Sequence, residues 1–150
     1  MKSSIVEVSV MLVREVMSER VVRVPPDCPV HDVAVVMRDG DIGIVPVEEN
    51  DRLIGVITDR DLVVRGLAET DAVESLCAED VMSARVLYCY DDQPVEDVLN
   101  NMARQQIRRL PVVSREKRLV GIVSLGDLAK ESPRSWTGAT LEQISMENLH

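Results

Sequence analysis

Ile54-Gly55-Val56-Ile57-Thr58-Asp59-Arg60-Asp61-Leu62 and Val120-Gly121-Ile122-Val123-Ser124-Leu125-Gly126-Asp127-Leu128 are two versions of one string. Each is an apolar run of strand length broken by a glycine. Each closes on a hydroxyl residue with an aspartate three positions on, the pattern that starts a helix after a strand. The likeness continues upstream. Arg52-Leu53 returns as Arg118-Leu119, 66 residues on; Pro46-Val47 returns as Pro111-Val112, Pro29-Val30 as Pro94-Val95 and Val16-Met17-Ser18 as Val81-Met82-Ser83, all 65 residues on. One residue is therefore added between Pro111 and Arg118. Chance identity of about 6% would give roughly 3 matches over residues 16–62, and the quoted pairs already exceed that. Such a duplicated unit points to a pseudo-symmetric binding module rather than an enzyme with one active site.

The order of elements follows from the first copy. Residues 13–18 read as one helical turn, and Val-rich Arg20 to Val24 as a strand. Pro25, Pro26 and Pro29 stop that strand, and proline suits the opening turn of a helix. Val30, Val33, Ala34 and Met37 then share one helical face, with Gly40 at its end. Ile42 to Val47 and Leu53 to Ile57 read as strands around a polar turn, and Asp59 to Leu67 as a helix. The second copy repeats this: a strand at Val86 to Tyr90, and a helix from Pro94 with Val95, Val98, Leu99 and Met102 on one face. Strands follow at Leu110 to Val113 and Leu119 to Val123, and a helix over Gly126 to Lys130. The class is α/β (α+β), two β-α-β-β-α repeats. The boundaries are an arm at 1–12, repeats at 13–65 and 77–130, a linker at 66–76 and a polar tail at 131–150. Alternating Val6, Val8, Val10 and Leu12 suggest a strand or ordered arm, and Leu141–Leu149 a short helix.

Composition narrows the function. The chain has 150 residues, 45% of them apolar, no Phe and 2% aromatics. Its core is therefore aliphatic, with Met17, Met37, Met82 and Met102 read as core at repeat positions. A net charge of −9 and the scarcity of aromatics argue against nucleic acid, which needs a basic footprint or a stacking platform. No apolar run reaches a membrane span, and Glu7 interrupts the place of a signal-peptide core. A cytoplasmic location is expected. Cys28, Cys77 and Cys89 are odd in number and lack C-x-x-C spacing, so they read as small apolar fillers, with a Cys77–Cys89 bridge left open. His31 and His150 pair with no nucleophile, and no phosphate-loop, dinucleotide or zinc-protease string occurs. No catalytic and no metal-binding residues are assigned.

Taken together, the Val-Met-Ser opening, the helix ending in Met, the Pro-Val strand and the Gly-x-x-(Ser/Thr)-x-x-Asp ending resemble a CBS domain. Two in tandem over residues 13–130 resemble the CBS pair, or Bateman module. The Ile57-Thr58-Asp59-Arg60-Asp61-Leu62 string is similar to stand-alone prokaryotic members. The resemblance implies two repeats packed through their sheets about a pseudo-twofold axis, with two clefts between them. It implies adenosine compounds such as AMP, ADP, ATP or S-adenosylmethionine as regulatory ligands, no required cofactor, and a disc-shaped homodimer. The module would sense its ligand and signal to a regulated protein without catalysis.

The candidate site residues follow from motif and resemblance together. Thr58 with Asp61 and Ser124 with Asp127 are capping boxes; a carboxylate so placed can also hold both ribose hydroxyls. Arg108 and Arg109 precede Leu110-Pro111, where the resemblance places a phosphate-facing base; the alternative is a solvated pair at a turn. Gly43 and Ile44 stand there in the first copy, so the two clefts are expected to differ, with Arg60 as a substitute charge. Val22, Val24, Ile42, Ile44 and Pro46 could line one adenine slot, and Leu87, Ile107, Leu110 and Pro111 the other; ordinary core is the competing reading. The leading expectation is a non-enzymatic nucleotide sensor. The alternatives are a scaffold of the same fold that binds no nucleotide, and an enzyme using the cysteines.

Overall fold

The computed structural model describes residues 10–131; the first nine residues of the arm and the tail from 132, with its short helix at Leu141–Leu149, lie outside them. Helix α1 spans Val30–Gly40 behind an extended Pro29 and buries Val30, Val33 and Met37. The left-handed turn that ends it is Asp41 rather than Gly40 (φ 51°), matched by Gln106 (φ 58°) in the second copy. Strands β1 (Ile44–Glu49) and β2 (Arg52–Thr58) form an antiparallel hairpin. Its tight turn places both Asn50 and Asp51 at positive φ. Helix α2 (Asp59–Asp61) continues as a π-helix over Leu62–Leu67. In the second copy a short helix α3 (Ala78–Val81) precedes β3 (Cys89–Tyr90), α4 (Val95–Gln105), β4 (Arg109–Val113), β5 (Leu119–Ser124) and α5 (Leu125–Ala129). Strand β3 runs parallel to β4, which pairs antiparallel with β5.

Two expected strands are shorter than their Val-rich sequence suggests. Arg20 to Val24 contracts to one parallel bridge, Val24 with Val47, and Val86 to Tyr90 contracts to Cys89–Tyr90. The cause is tethering. Ser18 exchanges two backbone hydrogen bonds with Ile122 of the other repeat (both 2.9 Å), and Ser83 does the same with Val56 (2.9 and 3.1 Å). A chain fixed at Ser18 on the far sheet and at Val24 on the near one must span the gap between sheets. Its intervening residues line that gap instead of joining a ladder.

The two repeats also trade their opening turns. Val13 N donates to Gln93 O (2.9 Å), and Ala78 N to Cys28 O (2.7 Å). Arg14 N donates to Asp91 O (3.0 Å), and Glu79 N to Pro26 O (2.9 Å). Each pair is related by the same 65-residue shift that relates the sequences. The side chains follow the backbone: Val13 is buried in the core built by α4, β4, β5 and α5, whereas Ala78 and Val81 are buried in the core around α1, β1 and β2. Neither core is complete without a turn from the other half of the sequence. The repeated glycines make this possible. A Cβ on Gly121 would lie 2.9 Å from Ser18 O and against Met17 Sδ; one on Gly55 would lie 3.1 Å from Ser83 O and against Met82 Sδ. Met17 and Met82 are thus seam residues, while Met37 and Met102 are core.

Candidate functional site

A cleft of about 200 Å³ opens between the halves. Val22, Ile42 and Ile44 line one wall, and Arg109, Ile122, Ser124 and Asp127 the other, with Arg20 at its margin. The first repeat supplies the aliphatic Val22, Ile42 and Ile44 together with Arg20, and the second supplies the polar Arg109, Ser124 and Asp127 together with Ile122, so the site exists only where the two repeats meet.

Local sequence fixes the polar wall. Ser124 ends β5 in an extended conformation and starts α5. Its Oγ accepts from Asp127 N (3.1 Å), and Asp127 Oδ2 accepts from Ser124 N (3.2 Å). Capping therefore uses Oδ2. Among the described residues Asp127 makes no ion pair, and Oδ1 takes no part in the box's hydrogen bonds, while the residue lines the cleft. Arg109 stands opposite Ser124 in the β4–β5 register, and Arg109 and Asp127 both line the cleft. Leu125 N donates to Arg108 O (2.8 Å) and fastens the helix start to β4.

The first-repeat box has the same hydrogen bonds and a different surrounding. Asp61 N donates to Thr58 Oγ1 (3.1 Å), and Thr58 N to Asp61 Oδ2 (2.9 Å). Here Arg65 Nε lies 3.9 Å from Asp61 Oδ1. The residue opposite Thr58 in register is Ile44, not an arginine.

The structure thus gathers Val22, Ile42, Ile44, Arg109, Ser124 and Asp127 from the sequence candidates. Thr58 and Asp61 do not line this cleft, and exposed Arg108 contributes its carbonyl to the fold instead of its side chain to the wall. Pro46 and Pro111 are buried within their strands, with carbonyls accepting from Val24 N and Cys89 Sγ. Val24 and Leu110 are core. Leu87 is exposed at the position corresponding to Val22, and Ile107 is half-buried beyond α4. Sequence reading missed Arg20 and Ile122. Arg20 had a signal, since it returns as Arg85; Ile122 looked like any strand residue. The cysteines are free. Cys77 precedes α3 beside the first core and Cys89 is inside the second, so the bridge left open between them does not form. Among the described residues no three His, Cys, Asp or Glu side chains gather to hold a metal ion, and no helix is long and apolar enough to cross a membrane.

Comparison with known proteins places this geometry. The family whose profile matches is the CBS domain, over residues 13–66 and 78–134. The chain is 40% identical over 119 residues to the uncharacterized protein YlbB of Bacillus subtilis, covering 77% of this chain and 79% of that protein. It is 36% identical over 121 residues to hypoxic response protein 1 of Mycobacterium tuberculosis, covering 80% and 84%. Among solved structures, hypoxic response protein I with two coordinated zinc ions superposes with a TM-score of 0.73 at 35% identity, covering 82% of this chain and all (100%) of that one. CBSX2 in complex with AMP superposes with a TM-score of 0.70 at 27% identity, covering 80% and 94%. The CBS domain pair of protein MJ0100, in complex with 5′-methylthioadenosine and S-adenosylmethionine, superposes with a TM-score of 0.68 at 26% identity, covering 82% and 96%.

Proposed function

The chain belongs to the CBS-domain family as a tandem pair, and from that premise we propose that it is a regulatory module binding an adenosine nucleotide between its repeats. The observation that carries this is the convergence of Asp127, Arg109 and Arg20 with Val22, Ile42 and Ile44 in one cleft. The aliphatic wall accepts the flat base, Asp127 Oδ1 takes the ribose hydroxyls, and the two arginines meet the phosphate, whose oxygens suit a guanidinium fork. Ligand pockets run from roughly 300 Å³ upward, so a cleft of about 200 Å³ seats base and sugar with the phosphate at its mouth. The AMP complex of CBSX2 and the nucleoside complexes of MJ0100 support the ligand class.

One nucleotide binds per chain. The mirror position lacks the arginine opposite the hydroxyl residue, and its aspartate is already engaged by Arg65. The module acts by binding, not by catalysis, in the cytoplasm. It pairs as a homodimer through exposed Val63, Val64 and Leu67, the last of which also lines a hollow of about 300 Å³ with Val30, Ala34 and Leu62. A regulated protein reads the change in repeat or protomer pose, to the extent that the ligand prefers one pose.

Calorimetric titration with AMP, ADP, ATP and S-adenosylmethionine tests the reading. Asp127→Asn keeps an acceptor for the cap and removes the charge. It should weaken binding by about 1.5–3 kcal/mol, while Asp61→Asn leaves it within about threefold. Absence of heat with all four compounds, or equal losses from the two variants, would overturn it. Light scattering should report twice the 16.7 kDa chain mass. A scaffold that binds no nucleotide is the second reading, favoured by Gly43 and Ile44 where the second repeat has its arginine pair.

A further inference from the structure

The pseudo-twofold axis supplies an internal control: each surface of one repeat has a counterpart in the other, and one such pair has diverged sharply. On the second-repeat side, a cavity of about 160 Å³ is lined by Leu53, Ile54, Ala84, Val86, Tyr88 and Val113, with Lys117 at its rim. It shares no residue with the Asp127 cleft. On the first-repeat side the places of Ala84, Tyr88, Val113 and Lys117 are held by Glu19, Arg23, Glu48 and Asp51. There, Arg23 Nη1 donates to Glu48 Oε2 (2.8 Å) and to Leu119 O (3.3 Å), a polar latch across the seam. The second copy has lost the latch and all three acids. Formal charge over the four positions changes from −2 to +1, in a chain whose net charge is −9.

We propose that this cavity is a second small-molecule site, specific for an apolar carboxylate whose hydrocarbon body enters between the hairpin β1–β2 and residues 84–88 and whose charge meets Lys117. This stands apart from the nucleotide reading and does not depend on it. The aliphatic side chains of Leu53, Ile54, Ala84, Val86 and Val113 offer the body its apolar surface while Tyr88 and Lys117 supply the polar part of the lining, and a deleted acid removes the repulsion that the first copy would exert on an anion. Lys117 is held at φ 64° by its N–H to Ser114 O (2.8 Å), which keeps its stem at the rim. Its ammonium lies 5.9 Å from the Tyr88 ring centre, and among the described residues it makes no ion pair. Tyr88 is itself propped. Tyr90 meets it edge-on at 5.6 Å, Arg115 caps Tyr90 at 4.1 Å, and Asp92 fixes Arg115 through two contacts of 2.8 and 3.0 Å to Nε. The wall is therefore built before a ligand arrives. A volume of about 160 Å³ suits a ring or branched chain of about six carbons, near the size of a few waters.

Proton–nitrogen correlation spectra of the full chain, titrated with benzoate and with its neutral isostere benzamide, test the proposal. Benzoate should shift the amides of Leu53, Ile54, Val86 and Val113, and benzamide should bind about tenfold more weakly. Lys117→Gln, on an exposed side chain, should erase that difference without moving AMP affinity. The double variant Tyr88→Arg with Val113→Glu rebuilds the first-copy latch and should abolish the benzoate shifts. Equal binding of the two probes, shifts confined to the Asp127 cleft, or no shifts at millimolar benzoate would each overturn it. Failure of AMP to bind while benzoate still shifts these four amides would sink the nucleotide reading and leave this one standing.

Discussion

Cys89 fills the place that Val24 holds in the first repeat, and its sulfur lies inside the second core, 1% exposed. Burial, helped by the nearby charge of Asp91, pushes its thiol up from 9.0 to about 12. Below pH 9 the folded and unfolded chains both carry the proton and the stabilisation is complete. Above it the unfolded chain releases the proton while the folded chain keeps it, so stability is lost as pH rises from about 9 towards 12. Urea unfolding at pH 8 and pH 10 should therefore show the wild type losing about 1 kcal/mol more than Cys89→Val over that interval; parallel losses would contradict the assignment. Alkylation at pH 8 should modify Cys28 and Cys77 in the folded protein and spare Cys89. At this scale the sequence was informative where chemistry is local. Thr58 with Asp61 and Ser124 with Asp127 were readable as capping boxes because the partners lie three residues apart. Which aspartate faces a cleft was not readable: the Asp61–Arg65 pair is a local i, i+4 contact, but Arg109, Val22 and Ile42 meet Asp127 only through tertiary packing.

The short strands carry the lesson of the next scale. Arg20 to Val24 has strong β propensity, yet propensity only says that a segment fits a pleated surface when one is offered. Here the surface is denied, since Ser18 is fixed to Ile122 on the opposite sheet. Helices α1 and α4 were legible because their apolar faces repeat at helical spacing and each sits behind a proline. The same tether gives Gly121 its role. A Cβ there would press on Ser18 O at 2.9 Å and on Met17, so Gly121→Ala should cost about 1–3 kcal/mol through overpacking. Amide exchange at Ser18 and Ile122 should quicken before the rest of β5. Gly66 is the control: a Cβ on it would meet Val73 at 3.8 Å, an ordinary contact, and Gly66→Ala should be neutral or stabilising by up to about 1 kcal/mol. Equal destabilisation by both substitutions would remove close approach as the explanation.

Across the whole molecule the duplication was legible and the exchange of turns was not, for a reason rooted in symmetry. Val13 packed in its own repeat and Val13 packed in the other repeat satisfy the same sequence pattern, because the receiving cores are copies of each other. Only the chain path decides, and it sends residues 11–14 to Gln93 and Asp91, and residues 76–79 to Cys28 and Pro26. The repeat seen in sequence is therefore not the unit that folds. A chain divided within 68–72 yields two fragments that each contain a full set of sheet and helix residues for one core but lack its buried turn: Val13 is missing from one, Ala78 and Val81 from the other. Each missing side chain leaves a void worth roughly 2 kcal/mol or more on top of the lost backbone bonds. Small units of this length have little stability to spare. Each fragment alone should thus be largely unfolded by circular dichroism, and equimolar mixing should restore the native spectrum with a concentration-dependent melting temperature. On the proposed nucleotide reading, ligand at 100 times its Kd should add about 2.7 kcal/mol to the reassembled pair as to the intact chain, because both walls of the cleft return only when the halves embrace. Two fragments that fold independently and melt without regard to each other would mean that the exchanged turns are ornaments on two self-sufficient domains.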